Sequence, residues 1–201
     1  MLIIHFICQI FSNFASNFIF SSMSTVKIKD KTFATSITEE QIKQRVKELA
    51  QQISKDMADK NPLLIGVLNG SFIFAADLLR EMTIPCEISF VKLASYEGIL
   101  STGKVKEVMG LNEDITGRTI IIVEDIVDTG RTMRQMLDTL NVRHPAAIHI
   151  CTLFVKPDKL EEPLDIAYAA FEIPNDFIVG YGLDYDQQGR GLRDICTLVE
   201  G

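Results

Sequence analysis

Residues 119–133, TIIIVEDIVDTGRTM, constrain this chain more than any other stretch. Ile120, Ile121, Ile122 and Val123 form a β-branched apolar run, the composition of a strand buried on both faces. Glu124 and Asp125 follow at once, where such a strand is expected to leave its sheet. After Ile126 and Val127, the polar run Asp128 to Thr132 leads into Met133, Met136, Leu137 and Leu140, whose spacing is helical. The order is strand, acidic pair, short polar loop, helix N-terminus. A helix start carries unpaired N–H groups and roughly half a positive charge, so it attracts anions, phosphate above all. Gly130 permits close backbone approach, and Thr129 and Thr132 add hydroxyl donors. Three carboxylates beside a phosphate would repel it unless they face sugar hydroxyls, Mg²⁺ or a reacting proton. A phosphorylated sugar meets both demands. The plain alternative is a solvated acidic turn with Asp128 as N-cap, but two hydroxy-acidic clusters around one glycine exceed what a cap needs.

The segment 123–132, VEDIVDTGRT, resembles the 5-phosphoribosyl-1-pyrophosphate (PRPP) signature of the type I phosphoribosyltransferases, in the form found in hypoxanthine–guanine phosphoribosyltransferases. No GxxxxGK[ST] loop occurs in the chain. The resemblance implies that Glu124, Asp125, Asp128, Thr129, Gly130, Arg131 and Thr132 bind the ribose phosphate of PRPP. Glu124 and Asp125 would meet the ribose hydroxyls, and Asp128 would be the general acid/base that exchanges a proton with purine N7.

The rest of the chain has a matching rhythm. Thr38 and Gln41 bracket a capping box, and Ile42, Val46, Leu49, Ile53 and Met57 continue at helical spacing. Asn61-Pro62 ends that helix. Residues 63–68 are a buried-strand run, followed by the turn Asn69-Gly70-Ser71 and a helix through Phe74, Ala75, Leu78 and Leu79. Residues 86–93 and 147–154 read as further strands, and 94–104 as a polar, glycine-bearing loop. Strands alternating with helices predict an α/β fold: a twisted, mainly parallel sheet with right-handed crossovers and helices on both faces. The resemblance adds a small hood. Ligands of such sheets sit at the carboxyl ends of the strands, which places residues 68–71, 124–132 and Lys156 along one rim.

Further residues match the family. The turn at Asn69-Gly70 corresponds to the tetrapeptide whose backbone amides contact pyrophosphate; some relatives carry Lys where Asn69 stands, so here the assignment rests on backbone groups. Ser95 and Tyr96 resemble the mobile lid that keeps water from a cation-like transition state. Lys156, just after a strand, corresponds to the lysine that donates to the 6-oxo group of the purine. The second long match is 171–186, FEIPNDFIVGYGLDYD. It implies that Phe177 stacks on the purine, the backbone at Ile178 reads its edge, and Asp184 holds Mg²⁺ on pyrophosphate, with Glu124 and Asp125 as further metal ligands. Arg190 would pair with the pyrophosphate. Read without the family, Phe177 and Ile178 are core residues and Asp184 is a surface turn.

The resemblance covers Val26 to Val199 and implies purine salvage: hypoxanthine or guanine plus PRPP gives the nucleotide monophosphate and pyrophosphate, with Mg²⁺. Relatives commonly assemble as dimers or tetramers, so the resemblance implies a homodimer or homotetramer. Alternatives are a PRPP- or nucleotide-binding regulator of the same fold, a xanthine-preferring relative, and an orotate enzyme, which would lack the Lys156–Phe177 pairing. A nucleic-acid partner is disfavoured by a formal charge of −7 and a pI near 5.0. The four cysteines, Cys8, Cys86, Cys151 and Cys196, lie far apart without metal spacing, as expected of free thiols in a reducing cytoplasm.

Residues 1–22 stand apart, with no Lys, Arg, Asp or Glu and a high content of Phe and Ile. A signal peptide would need a positive n-region. A membrane anchor would be interrupted by Asn13, Ser16 and Asn17 and lacks a basic flank. The favoured reading is a start at Met23, with residues 23–201 forming one phosphoribosyltransferase domain, large enough for its own core, and with no membrane attachment.

Overall fold

The computed structural model of the chain describes residues 24–94 and 106–200. The lid residues Ser95 and Tyr96, Cys8 and the segment 1–22 lie outside the described residues. Two sheets are present. The larger has the order β5-β4-β3-β6-β7-β8, built from β3 (Leu63–Leu68), β4 (Glu87–Ala94), β5 (Lys106–Met109), β6 (Thr119–Val127), β7 (Ala147–Val155) and β8 (Tyr168–Glu172). Strands β4, β3, β6, β7 and β8 run parallel, and β5 is an antiparallel edge on β4. The smaller sheet is antiparallel, of order β1-β2-β10-β9, from β1 (Thr25–Ile28), β2 (Lys31–Ile37), β9 (Ile178–Val179) and β10 (Ile195–Glu200). It is the hood.

Helices cover both faces of the large sheet. On one face lie α1 (Glu39–Asp56) and α2 (Phe72–Glu81); on the other lies α3 (Arg131–Asn141). The period of two along β6 explains why both are needed. Ile121 and Val123 pack with Ile42, Val46, Leu49, Phe74 and Leu78. Ile120 and Ile122 point the other way, into Met133, Met136, Leu140, Leu63 and Ile65. All four β6 residues are fully buried, as the continuous apolar run requires. Helix α1 opens on the expected capping box: the Gln41 amide donates to Thr38 Oγ1 at 3.4 Å, and the Thr38 amide donates to Gln41 Oε1 at 2.9 Å. Caps of this kind contribute ~0.5–2 kcal/mol.

One expectation is corrected. Glu124 and Asp125 do not follow β6 but lie inside it. The strand continues to Val127, with Glu124 opposite Thr152, Ile126 opposite Phe154 and Val127 opposite Val155 on β7. Buried pairing on β7 outweighs the interruption by two acids, because Ile126 and Val127 return to apolar neighbours.

The strand order carries the functional geometry. From β3 the chain crosses through α2 to β4 on one side, and from β6 it crosses through α3 to β7 on the other. The direction of winding therefore switches between the adjacent strands β3 and β6. At such a switch point the loops leaving the strands part and open a crevice at their carboxyl ends.

Candidate active site

Two loops meet at the switch. The Leu68–Asn69 peptide bond that leaves β3 is cis. The turn closes on itself through Ser71, which is fully buried and whose Oγ donates to the Val67 carbonyl at 2.6 Å. Gly70 faces the acidic pair of β6. A Cβ built there would fall on the Asp125 carboxylate, although the Gly70 backbone is not in the left-handed region. Glycine is required at this point for closeness, not for φ. Asp125 is held from its other side by the Ile126 amide, which donates to Oδ1 at 2.9 Å.

Glu124 is the more perturbed of the pair. Its Oε2 is buried without a hydrogen-bond partner among the described residues. Burial, followed by the charge of Asp125 and a hydrogen bond to it, pushes its carboxyl well above the usual glutamate range. A buried, unpartnered acceptor of this kind is an unusual native feature and marks a place where a ligand donor or cation is due.

Beyond Val127 the polar loop lines a cleft of about 130 Å³ with Glu124, Asp128, Thr129, Gly130, Thr132 and Met133. That is well below the ~300–1,000 Å³ of a whole-ligand pocket, so it suits one group of a ligand. Gly130 caps α3 with φ 81° and no side-chain cap bond. Its φ needs glycine, and a Cβ would also press on Leu164 Cδ1 at 2.9 Å. The glycine thus shapes the turn and its packing on the 160–164 segment as well as lining the cleft. Thr129 Oγ1 accepts from the Arg131 amide at 3.4 Å. Arg131 forms an ion pair with Glu161, whose amide donates to the Thr129 carbonyl at 3.0 Å. A wider depression of about 710 Å³, lined by Arg134, Leu137, Glu161, Glu162 and Leu164 among others, lies beyond α3 and includes none of the acidic trio.

Asp128 has two unlike oxygens. Oδ2 accepts from Lys159 Nζ at 2.8 Å, and Oδ1 is buried with no partner among the described residues. Lys156 follows β7; its amide donates to the Val127 carbonyl at 3.1 Å, which ties the two rim positions together. Only 7% of Lys156 is exposed, and its Nζ donates to Asn175 Oδ1 at 3.5 Å. Phe177 is 45% exposed, and its ring meets Phe33 in a tilted contact and Tyr185 edge to face, with centroids 6.1 and 5.9 Å away. Its neighbour Ile178 is buried and pairs through β9 with β10.

The hood supplies the third loop. Gly180 and Gly182 have φ of 106°, and Tyr181 between them has φ 46°. A Cβ on Gly182 would strike the Gly70 carbonyl, so this loop lies directly on the β3 turn. Arg190 donates to the Gly182 carbonyl at 2.7 Å and pairs with Asp184 Oδ1 at 2.6 Å; Asp184 Oδ2 accepts from the Gln187 amide at 2.7 Å. The structure therefore gathers Asn69, Gly70, Asp125, Asp184 and Arg190 around one contact. Glu124, Asp128 to Thr132, Lys156 and Lys159 lie along the adjoining β6–β7 rim.

Comparison with known proteins agrees with this layout. Residues 34–186 match the phosphoribosyl transferase domain. The hypoxanthine-guanine phosphoribosyltransferase of Mycobacterium avium is 44% identical over 81% of this chain and 83% of its own length. The hypoxanthine phosphoribosyltransferase of Haemophilus influenzae is 42% identical over 81% and 93%. The chain belongs to the hypoxanthine–guanine phosphoribosyltransferase family. A crystal structure of the hypoxanthine-guanine phosphoribosyltransferase from Bacillus anthracis superposes with a TM-score of 0.77, at 42% identity, over 82% of this chain and 96% of that one. For the Trypanosoma cruzi hypoxanthine phosphoribosyl transferase the TM-score is 0.79, at 35% identity over 87% and 95%.

Four residues that the sequence did not single out, Lys159, Asn175, Tyr181 and Asp77, support the site. Lys159 meets Asp128, Asn175 meets Lys156, and Tyr181 donates to Asp77 Oδ2 at 2.6 Å. One signal was available for Lys159. It lies three residues after Lys156, across a proline that opens a 3-10 turn.

Proposed function

We propose that this protein transfers the 5-phosphoribosyl group of PRPP to hypoxanthine or guanine, releasing pyrophosphate. The observation that carries this reading is one cleft at the switch between β3 and β6, in which the start of α3, whose N-cap Gly130 has no side chain to cap it, lies beside Asp128 and Glu124 with its orphaned Oε2. The names of the relatives supply the substrates.

The roles follow from the chemistry of each position. The amides at the start of α3, with the Thr129 and Thr132 hydroxyls, receive the 5-phosphate in the small cleft. Glu124 and Asp125 accept from the ribose hydroxyls, which gives the orphaned Glu124 Oε2 a donor. The backbone of Asn69-Gly70 and the guanidinium of Arg190 hold pyrophosphate. Phe177 stacks on the purine, Ile178 borders its edge and Lys156 donates to the 6-oxo group. The N9–C1′ bond forms as the C1′–O bond to pyrophosphate breaks, and the proton lost by the purine at N7 passes to Asp128. Charge and positioning, not a covalent nucleophile, lower the barrier.

Mg²⁺ fits this donor set. Among the described residues no group of three or more His, Cys, Asp or Glu could hold a metal alone. Mg²⁺ commonly takes one or two carboxylates together with substrate phosphates and water. Asp184 would share it with pyrophosphate through the lone pairs left by Arg190 and Gln187, and Glu124 and Asp125 would face it from the ribose side. It would neutralise charge on the leaving pyrophosphate. The protein would work as a homo-oligomer in the cytoplasm, and the free thiols of Cys86, Cys151 and Cys196 suit a reducing compartment. Among the described residues, no helix is long and apolar enough to cross a membrane.

The test is nucleotide formation from hypoxanthine, guanine, xanthine, adenine and orotate, each with PRPP and Mg²⁺. Turnover of hypoxanthine or guanine above the others is expected. Turnover of neither, with PRPP still bound, would favour a regulator of the same fold.

A further inference from the structure

The two oxygens of Asp128 pose a question that its role in proton exchange leaves open: which one reacts, and what holds it in place. A carboxylate turns about a broad terminal torsion, so a single free Asp presents either oxygen. Here the symmetry is broken. Lys159 Nζ donates to Oδ2 at 2.8 Å, whereas Oδ1 is buried and has no partner among the described residues. An acceptor left buried and unpaired awaits a donor, and a purine N–H is such a donor.

Lys159 is not placed by chance. It ends the 3-10 turn Pro157–Lys159 that starts at Lys156, and its amide donates to the Lys156 carbonyl at 3.0 Å. In that geometry positions three apart lie on one side of the turn. The same turn that fixes the base-reading lysine therefore fixes a second ammonium, one that reaches the acid/base. Both partners of the pair are 39% exposed, so it adds little to stability. Its consequence is orientation.

We propose that Lys159 is a positioning residue for catalysis: it anchors Asp128 through Oδ2 so that Oδ1 is the atom that exchanges the proton with the purine. The inference rests on the reading of Asp128 as the acid/base.

The experiment is a double-mutant cycle on the full chain, with hypoxanthine as base and chemistry followed in single turnovers. Lys159→Met should lower the rate about 10–100-fold, the scale of a misplaced catalytic group. The KM for PRPP should stay within about twofold and thermal stability should not change. Lys159→Arg, which restores a donor, should recover most of the rate. In an Asp128→Asn background, Lys159→Met should cost nothing further, because the two act as one unit. If Asp128→Asn is slow and Lys159→Met multiplies that loss, or Lys159→Met alone leaves the rate intact, the positioning role is overturned. Should Asp128→Asn keep the parent rate, the acid/base reading fails and takes this inference with it.

Discussion

Gly70→Ala isolates a contact on which three loops depend. The Gly70 backbone is not left-handed, so alanine meets no backbone penalty; the added Cβ simply falls on the Asp125 carboxylate. Two responses are open. Asp125 can rotate away and give up the 2.9 Å bond from the Ile126 amide, or the turn can retreat and disturb Gly182, which rests on the Gly70 carbonyl. Overpacking of this kind costs ~1–3 kcal/mol. For a domain of this size that lowers Tm by about 2–12 °C. A hydrogen bond to a charged group is worth ~1.5–3 kcal/mol, so loss of the one expected between Asp125 and ribose lowers kcat/KM for PRPP about 10–100-fold. Initial rates with PRPP varied at saturating hypoxanthine measure this, and the KM for hypoxanthine should move little. Asp125→Ala should be slow in its own right, and adding Gly70→Ala to it should cost little more stability, because the clashing group is gone. A Gly70→Ala enzyme with parental Tm and parental KM for PRPP would show that the turn absorbs a methyl group freely, and the argument from closeness would fail.

Three other outcomes are expected. Lys156 donates and cannot accept, so adenine, which offers an amino group where the 6-oxopurines offer an oxygen, should be rejected by about 10⁴-fold; Lys156→Gln should narrow that gap, and full retention of selectivity would remove Lys156 from base reading. Glu124, raised by burial and by Asp125, binds its proton more tightly in the folded chain. The stability it lends is complete below the ordinary glutamate value and is lost as pH rises through its folded value. Glu124→Gln should therefore raise the Tm of the protein without PRPP or Mg²⁺ at about pH 8, with the gap closing towards about pH 5; a pH-independent gap would contradict the burial account. A chain beginning at Met23 should keep the fold and the activity, since composition becomes regular there; loss of either in that truncation would assign residues 1–22 a structural part.

What was legible in the sequence was local. The β6 run, the capping box at Thr38 and the acid-rich loop before α3 are each contiguous, so periodicity and loop chemistry reveal them. The hood was less legible because its pairing is not local. Strand β2 pairs with β10 near the other end of the chain, and β9 has only two residues. Segment 180–187 holds Tyr181, Asp186 and Gln187 at positive φ besides its glycines, a backbone path that residue types with side chains do not announce. The position of Glu124 and Asp125 was misjudged because local polarity marked a strand end, whereas tertiary pairing with Thr152 and Phe154 carried β6 past them. Lys159 and Asn175 stayed hidden for a related reason. Each acquires a role only from what a turn or a strand crossing places opposite it.

The hood tolerates several left-handed residues in one loop because of what that loop must reach. In the proposed reading Asp184 and Arg190 serve pyrophosphate, and for that they must stay beside the Gly70 turn, which belongs to the other sheet. The loop reaches it by bending sharply at residues 180–182, which brings Gly182 against the Gly70 carbonyl and turns Tyr181 inward to Asp77 on α2. That helix begins directly after the Gly70 turn, so one end of α2 adjoins the turn and its body anchors the loop bearing Asp184 and Arg190. Burial pushes the Tyr181 hydroxyl far above its usual range, so it remains a neutral donor to Asp77. A hydrogen bond to a carboxylate contributes ~1.5–3 kcal/mol, enough to offset strain of ~1–3 kcal/mol at a non-glycine residue of positive φ. The unusual backbone at Tyr181 is thus balanced where it arises, and the loops of two sheets are held together by one helix.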